Sequence, residues 1–440
     1  MGIAADSVRT YFFRIATLIV GFLMGILTAR FLGPTGKGEF SLALLAGSLY
    51  TNLFGNLGGA ITYQITRLKQ PARTVFLTAS VYGWGVGLLT LAGFFVFTLL
   101  VPGFRPGIYW YVALNAPLLV ALTNLSGTWL GLNRITAVNW LGLSSGIILL
   151  VAMLIGYFGF RMKLGPSLAC WVGAQALVVA GGLWCLRRIW WPLAQKEFRF
   201  QLLVDMLGFG WQLGLINLIT FLNYRIDMFL VAKFLGPRNL GFYSIAVSAA
   251  EMLWFTSSAI GTSIYARVGV AEPDQAGRLT ARAARHTLFI NIILGLLIWG
   301  AVELFLPIIY GEIYRPALAP FRILLPGVLA YGLAGIFSTY FANQLGQPKF
   351  SLLVSFISMC VNLGISLWLI PRMGMTGGAW ATAISYLSAI VILIGFFHRK
   401  SGLGFREVLL INRGDFEDYR CLGITISHYL LRKIGWKKNG

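Results

Sequence analysis

A fifteen-residue segment occurs twice in this 440-residue chain, and its repetition constrains the fold more than any other feature. Residues 29–43 read ARFLGPTGKGEFSLA and residues 232–246 read AKFLGPRNLGFYSIA, without a gap and at an offset of about 200 residues. Identical pairs include Phe31/Phe234, Gly33/Gly236, Pro34/Pro237, Gly38/Gly241 and Ser41/Ser244. A match of this quality in one register indicates an internal repeat, so we expect a chain built from two similar halves.

Each copy of the repeat is predicted to connect two apolar helices. The Gly-Pro pair ends the first helix, because proline has no backbone N–H and restricts the residue before it. The second glycine, Gly38 in one copy and Gly241 in the other, is expected to permit the tight turn into the next helix.

The composition predicts an all-α integral membrane protein. Hydrophobic residues make up 58% of the chain and charged residues 11%, whereas a soluble domain carries about 25% charged residues. Apolar runs recur at roughly the 20-residue length that a bilayer-spanning helix requires. About twelve such spans are predicted, near residues 10–32, 41–62, 75–101, 108–131, 136–158, 166–186, 206–232, 241–264, 287–309, 322–343, 350–370 and 377–397.

The repeat also predicts how the spans are arranged. Its offset covers six spans, an even number, so both halves share one orientation and are related by an axis along the membrane normal. We predict an N-terminal six-helix lobe with linker (1–199), a C-terminal six-helix lobe (200–397) with a cavity between the lobes, and a basic cytoplasmic tail (398–440). The end of that tail, residues 422–440, is either a short amphipathic helix on the inner leaflet or a frayed basic segment.

The net charge of +21 indicates the partners and the orientation. Basic residues lie in short loops between apolar runs, so anionic membrane lipids are expected partners and nucleic acid is not. The excess of Lys and Arg on alternate loops places both termini in the cytoplasm. The four cysteines and three histidines show no metal-ligand spacing. We therefore predict no metal site, no cofactor and no catalytic residue, and hence a protein that is not an enzyme.

Four ionisable side chains inside the spans are candidates for substrate binding. Arg14 lies in the first span, Arg225 and Asp227 in the seventh, and Glu251 in the eighth. Such groups are costly in a bilayer and usually face an aqueous cavity or another helix. A structural role stays open for each of them, because arginines can extend to the interface and carboxylates can pair between helices.

Uncharged polar side chains inside the spans form a second set. Each alone is more often a contact between helices than a ligand, but together they fit a cavity that hydrogen-bonds hydroxyl-rich groups. Asn217 and Asn223, from this set, are candidate substrate-binding residues. The full set is Asn52, Asn56, Asn124, Gln175, Gln212, Asn217, Asn223, Asn291, Asn343, Gln344 and Asn362.

Several segments resemble the polysaccharide biosynthesis (oligosaccharide flippase) family of the multidrug/oligosaccharidyl-lipid/polysaccharide exporter superfamily. The first is ARFLGPTGKGEFSLA, after the first span. In the second half the family's order and approximate spacing recur in RIDMFLVAKFLGPRNLGFYSIA, PIIYGEIYRPA with FRILLP, NQLGQPKF and PRMGMTGGAWATA. The resemblance covers most of residues 1–397 and excludes the tail.

The resemblance implies a V-shaped, two-lobed transporter of twelve to fourteen helices in the cytoplasmic (inner) membrane. Its expected function is to move an undecaprenyl-pyrophosphate-linked oligosaccharide from the cytoplasmic to the outer leaflet, by alternating access, for surface polysaccharide biosynthesis. Related flippases hold the pyrophosphate and sugar in a cationic central cavity, for which Arg14 and Arg225 are candidates here. Glycan polymerases and glycosyltransferases are further expected partners.

Two other functions stay open at the level of sequence. A cation- or proton-coupled multidrug antiporter of the same superfamily would use a cavity dominated by carboxylates, for which Asp227 and Glu251 are available. A membrane polysaccharide polymerase or ligase usually carries a large outer loop, whereas every predicted outer loop here is short.

Overall fold

The computed structural model describes residues 3–101, 107–191, 198–410 and Asp415, and all regular secondary structure in this part of the chain is helical. A 3₁₀ helix covers Glu312–Ala317 and a π-helical turn covers Tyr340–Gln344. The α-helices are α1 (Ile3–Phe54), α2 (Leu57–Thr66), α3 (Ala72–Leu100), α4 (Tyr109–Gly131), α5 (Ile135–Phe160), α6 (Leu164–Cys185), α7 (Arg187–Trp190), α8 (Phe200–Glu251), α9 (Trp254–Val270), α10 (Pro273–Tyr310), α11 (Leu318–Tyr331), α12 (Ala334–Thr339), α13 (Lys349–Met373), α14 (Met375–Ser401) and α15 (Phe405–Leu409).

The helices confirm the predicted spans. Among the described residues, nine helical segments are long and apolar enough to cross a membrane. Two of them, Arg9–Phe54 and Phe200–Val270, each contain two predicted spans, and the predicted span 108–131 corresponds to α4, which lies outside the nine. All twelve predicted spans are therefore helical, although three are interrupted by breaks at 55–56, 252–253 and 332–333.

The repeat produces the same backbone bend in both halves. Gly33 has φ 67° and ψ −178°, and Gly236 has φ 79° and ψ 175°. Only glycine occupies this region readily, because a Cβ would clash with the backbone. Pro34 and Pro237 follow, at the start of the next helical segment, where a missing N–H costs little.

The prediction for the second glycine of each repeat was wrong. Neither Gly38 nor Gly241 has a positive φ, so neither makes the turn. Instead, the two copies of the repeat cross each other at these glycines: a Cβ on Gly38 would overlap the carbonyl oxygen of Pro237, and a Cβ on Gly241 would overlap that of Pro34. These glycines are required for close approach of two backbones.

The chain forms two compact units. The first contains Met1–Ile245, Phe305–Ala317 and Ser366–Gly378, and the second contains Ala246–Leu304, Leu318–Ile365 and Ala379–Gly440. In the first unit, the beginning of α8 packs against α2 and α3 in an apolar core of Leu57, Ala60, Ile61, Val75, Ala79, Leu202 and Met206. The predicted lobe boundary near residue 199 stays a prediction.

The beginning of the predicted basic tail packs within the second unit. The Arg285 guanidinium donates to the two carboxylate oxygens of Asp415 over 2.9 and 3.1 Å, and both residues are buried. Val408 of α15 is also fully buried. The predicted amphipathic segment 422–440 lies outside the described residues.

The bend predicts a stability difference between two glycine substitutions. Gly236→Ala should destabilise the protein by about 1–3 kcal/mol, because alanine is strained at this φ/ψ. The control is Gly85→Ala, in α3, where an added Cβ meets no atom within 4 Å and alanine is a better helix former. Thermal unfolding of the purified proteins in detergent measures the difference. Equal melting temperatures for the two variants would contradict the requirement for glycine at position 236.

Candidate functional site

The two copies of the repeat meet in a contact region within the first unit, on the predicted outer side of the membrane. Ser41 and Ser244 are buried there with their hydroxyl oxygens 3.4 Å apart. The Tyr314 hydroxyl donates to the Ala29 carbonyl over 2.9 Å, and Arg30 donates to the carbonyls of Ile308 and Ile309. Residues from both halves of the sequence are thus in contact around the crossing of Gly38 and Gly241.

Asp227 is held by the bend of the second repeat. It is 1% exposed, and its carboxylate accepts a 2.6 Å hydrogen bond from the Tyr243 hydroxyl on the other side of Gly236. At the equivalent positions of the first repeat stand Met24 and Phe40, both in one apolar cluster. The second repeat therefore has a buried acid–phenol pair where the first has apolar packing. Sequence analysis missed Tyr243, although its alignment with Phe40 marks the added hydroxyl.

The other candidates lie at different depths of burial. Arg14 is exposed on α1 and makes no hydrogen bond or ion pair with the described residues. On α8, Arg225 and Glu251 are half-buried and Asn223 is fully buried. Arg225, Asp227 and Asn223 lie within five residues of one another on α8, and Arg14 comes from a separate helix. Their part in binding stays a prediction.

Asn217 lines a cavity of about 650 Å³ within the first unit. Helices α2, α4, α5 and α6 form most of its wall, and α8 contributes Leu213 and Asn217. Three members of the predicted polar set line this space. The polar lining residues are Asn56, Thr62, Thr123, Ser126, Ser145, Gln175 and Asn217.

The cavity wall is held by short contacts between helices. The Ser145 hydroxyl donates to the side-chain oxygen of Gln175 over 2.9 Å, joining α5 to α6. The Thr62 hydroxyl lies 3.0 Å from the Gly127 carbonyl, where α2 and α4 cross closely. No charged side chain is among the described residues that line the cavity. The described lining is uncharged and combines hydrogen-bonding side chains with apolar ones.

Comparison with known proteins supports the resemblance found in the sequence. Residues 143–318 match the polysaccharide biosynthesis protein family. Two curated relatives are probable lipid II flippases MurJ of Helicobacter pylori. For strain J99 the identity is 27% over 198 residues, or 43% of this chain and 42% of the relative. For strain 26695 it is 26% over 278 residues, or 60% of this chain and 58% of the relative. The matched region thus spans less than two thirds of either relative.

Solved structures share the fold along nearly the whole chain. The lipid II flippase MurJ in an inward closed conformation matches with a TM-score of 0.68 at 13% identity, covering 98% of this chain and 99% of that one. An inward-facing multidrug resistance MATE family transporter of the MOP superfamily matches with a TM-score of 0.66 at 13% identity, covering 88% and 94%. The fold is that of this superfamily of membrane transporters, which confirms the predicted fold class.

The buried acid–phenol pair predicts the effect of removing one hydroxyl. Tyr243→Phe deprives the Asp227 carboxylate of a donor, which should destabilise the protein by about 1–3 kcal/mol. Tyr63→Phe is the control, because the Tyr63 side chain is exposed. Thermal unfolding distinguishes the two variants. The account fails if Tyr243→Phe unfolds at the same temperature as Tyr63→Phe.

Proposed function

We propose that this protein is a flippase that moves an undecaprenyl-pyrophosphate-linked oligosaccharide from the cytoplasmic to the outer leaflet for surface polysaccharide assembly. The observation that carries the proposal is the match of residues 143–318 to the polysaccharide biosynthesis family, in a chain with the fold of a lipid II flippase. That solved relative is named for a lipid-linked substrate, which favours the same class of substrate here. Both termini would lie in the cytoplasm.

The pyrophosphate of such a substrate requires cationic groups. Guanidinium groups bind phosphate oxygens in a bidentate manner, and the interaction strengthens away from bulk water. Arg225, half-buried on α8, and Arg14, on α1, are the residues that we assign to this role. The polyprenyl chain would remain in the lipid while the headgroup moves.

In an alternating-access cycle, the contact region of the two repeats would act as the closed outer gate. With the N-terminus in the cytoplasm, this region lies on the outer side and blocks release to the outside. Release then requires separation of Ser41 from Ser244 and loss of the Tyr314–Ala29 hydrogen bond. The Ser41–Ser244 contact and the Tyr314–Ala29 hydrogen bond join uncharged groups, so breaking each of them carries a modest free-energy cost.

A multidrug antiporter is the other function that this fold supports, because a MATE family transporter shares it. Asp227 is the buried carboxylate that such an antiporter would use. Drug tolerance on expression of the protein distinguishes the two functions: an antiporter raises tolerance, and a flippase leaves it unchanged.

The role proposed for Arg225 in pyrophosphate binding predicts the effect of replacing this residue. Arg225→Ala should abolish polysaccharide export in cells while the protein remains in the membrane, because the pyrophosphate loses a bidentate partner. Arg238→Ala removes an exposed arginine of the second repeat and serves as the control. Export is measured as surface polysaccharide, and protein abundance by immunoblot. Normal export by the Arg225→Ala variant would refute the assignment.

If the contact region must open during transport, a disulfide across it should block export. On a background without native cysteines, the Ser41→Cys/Ser244→Cys variant should form a disulfide on oxidation, since the two hydroxyls lie 3.4 Å apart. The cross-link should stop export, and reduction should restore it. The two single-cysteine variants control for the substitutions themselves. If the oxidised double variant exports at the normal rate, these residues do not separate during transport.

A further inference from the structure

We infer that the neutral cavity of the first unit, lined by Asn217, Gln175 and Ser126, binds the uncharged sugar residues of the substrate, apart from the arginines assigned to the pyrophosphate. This inference rests on the proposed function for the identity of the substrate. It assigns a ligand class, an uncharged glycan, to a specific set of side chains.

The cavity has the size of a ligand site. Its volume of about 650 Å³ lies within the range of roughly 300–1,000 Å³ that is usual for small-molecule pockets. Gly59, Gly142 and Asn217 in its wall are exposed, so the space is accessible. At Gly142 an added Cβ would meet no atom within 4 Å, so this part of α5 borders open space.

The chemistry of the lining selects among ligands. An anion such as phosphate would find no charged partner among the described lining residues, and an unpaired charge away from water is costly. A cationic drug or metal ion would likewise find no carboxylate there. An acyl chain that filled the cavity would cover Asn217, Ser126 and the Gln175 amide N–H groups without giving them a partner, which costs free energy for each group.

An uncharged glycan satisfies both kinds of lining group. Sugar hydroxyls and acetamido groups donate and accept, and the C–H faces of the rings pack on apolar side chains such as Leu122 and Leu213. Gln175 accepts from Ser145 through its oxygen, which leaves its amide N–H groups as donors. Asn217 and Ser126 make no side-chain hydrogen bond with other described residues, so both are available to a ligand.

The position of Asn217 relative to Arg225 fits a substrate with adjoining sugar and phosphate groups. Both residues lie on α8, eight positions apart, which is about 12 Å along a helix. In a polyprenyl-pyrophosphate-linked glycan the first sugar is bonded directly to the pyrophosphate. One substrate headgroup can therefore extend from the arginine to the neutral cavity.

Two variants of one helix test the inference. Gly142→Trp places an indole in the open space of the cavity and should block the sugar residues. Gly159→Trp is the matched control, because Gly159 is also on α5, also has no atom within 4 Å of an added Cβ, and does not line the cavity. A third variant, Gln175→Leu/Asn217→Leu, removes hydrogen-bonding groups with little change of volume.

The probe is the oligosaccharide released by mild acid from the polyprenyl-pyrophosphate lipids of the source cells. Saturation-transfer NMR with the purified full-length protein measures its Kd. We expect equal Kd values for the wild type and Gly159→Trp, a Kd at least tenfold higher for Gly142→Trp, and one at least fivefold higher for Gln175→Leu/Asn217→Leu. Equal binding by the two tryptophan variants would overturn the inference. Displacement of the glycan by ethidium, a cationic drug, in the Arg225→Ala background would also overturn it, because the neutral cavity should not bind a cation.

Binding measured together with polysaccharide export separates this inference from the proposed function. If the released glycan binds in the cavity but the wild type exports no lipid-linked glycan, the flippase proposal fails and the site stands. If export occurs and Gly142→Trp exports and binds as Gly159→Trp does, the site assignment fails and the flippase proposal stands.

Discussion

The contact region of the two repeats depends on the crossing of two backbones at Gly38 and Gly241. Each glycine faces the carbonyl of the proline in the other copy of the repeat, so a side chain at either position would keep the copies apart. Small residues serve in this way where membrane helices approach closely. The Ser41–Ser244 contact and the Tyr314–Ala29 hydrogen bond form only because this approach is possible.

Duplication has kept the bend of the repeat and changed the side chains that hold it. In the first copy the Lys37 ammonium donates to Thr28 over 3.1 Å, and in the second the equivalent Leu240 and Val231 are apolar and buried. Conversely, the Asp227–Tyr243 pair of the second copy replaces Met24 and Phe40 of the first. Each bend thus combines one polar and one apolar contact, in opposite positions in the two copies.

The sequence predicts those properties that depend on composition and local order. The membrane class follows from sparse charge, the twelve spans from apolar runs, and the repeated bend from two matching Gly-Pro pairs. The role of Gly38 was predicted wrongly, because close approach of two distant segments leaves no local signal. The cavity within the first unit was not predicted, and only three of its amides belong to the predicted polar set, since five helices must pack before Asn56, Gln175 and Asn217 share one space. The serine and threonine hydroxyls in its wall were missed because such residues are common in membrane helices.

Transport of the proposed substrate by the purified protein tests the account most directly. The protein is reconstituted into liposomes that carry a polyprenyl-pyrophosphate-linked oligosaccharide in one leaflet, and a lectin added outside reports the arrival of the glycan in the other leaflet. The account predicts lectin binding that grows with time in the presence of the protein and stays at the level of empty liposomes without it. Equal lectin binding with and without the protein, under conditions in which the protein remains folded, would contradict it.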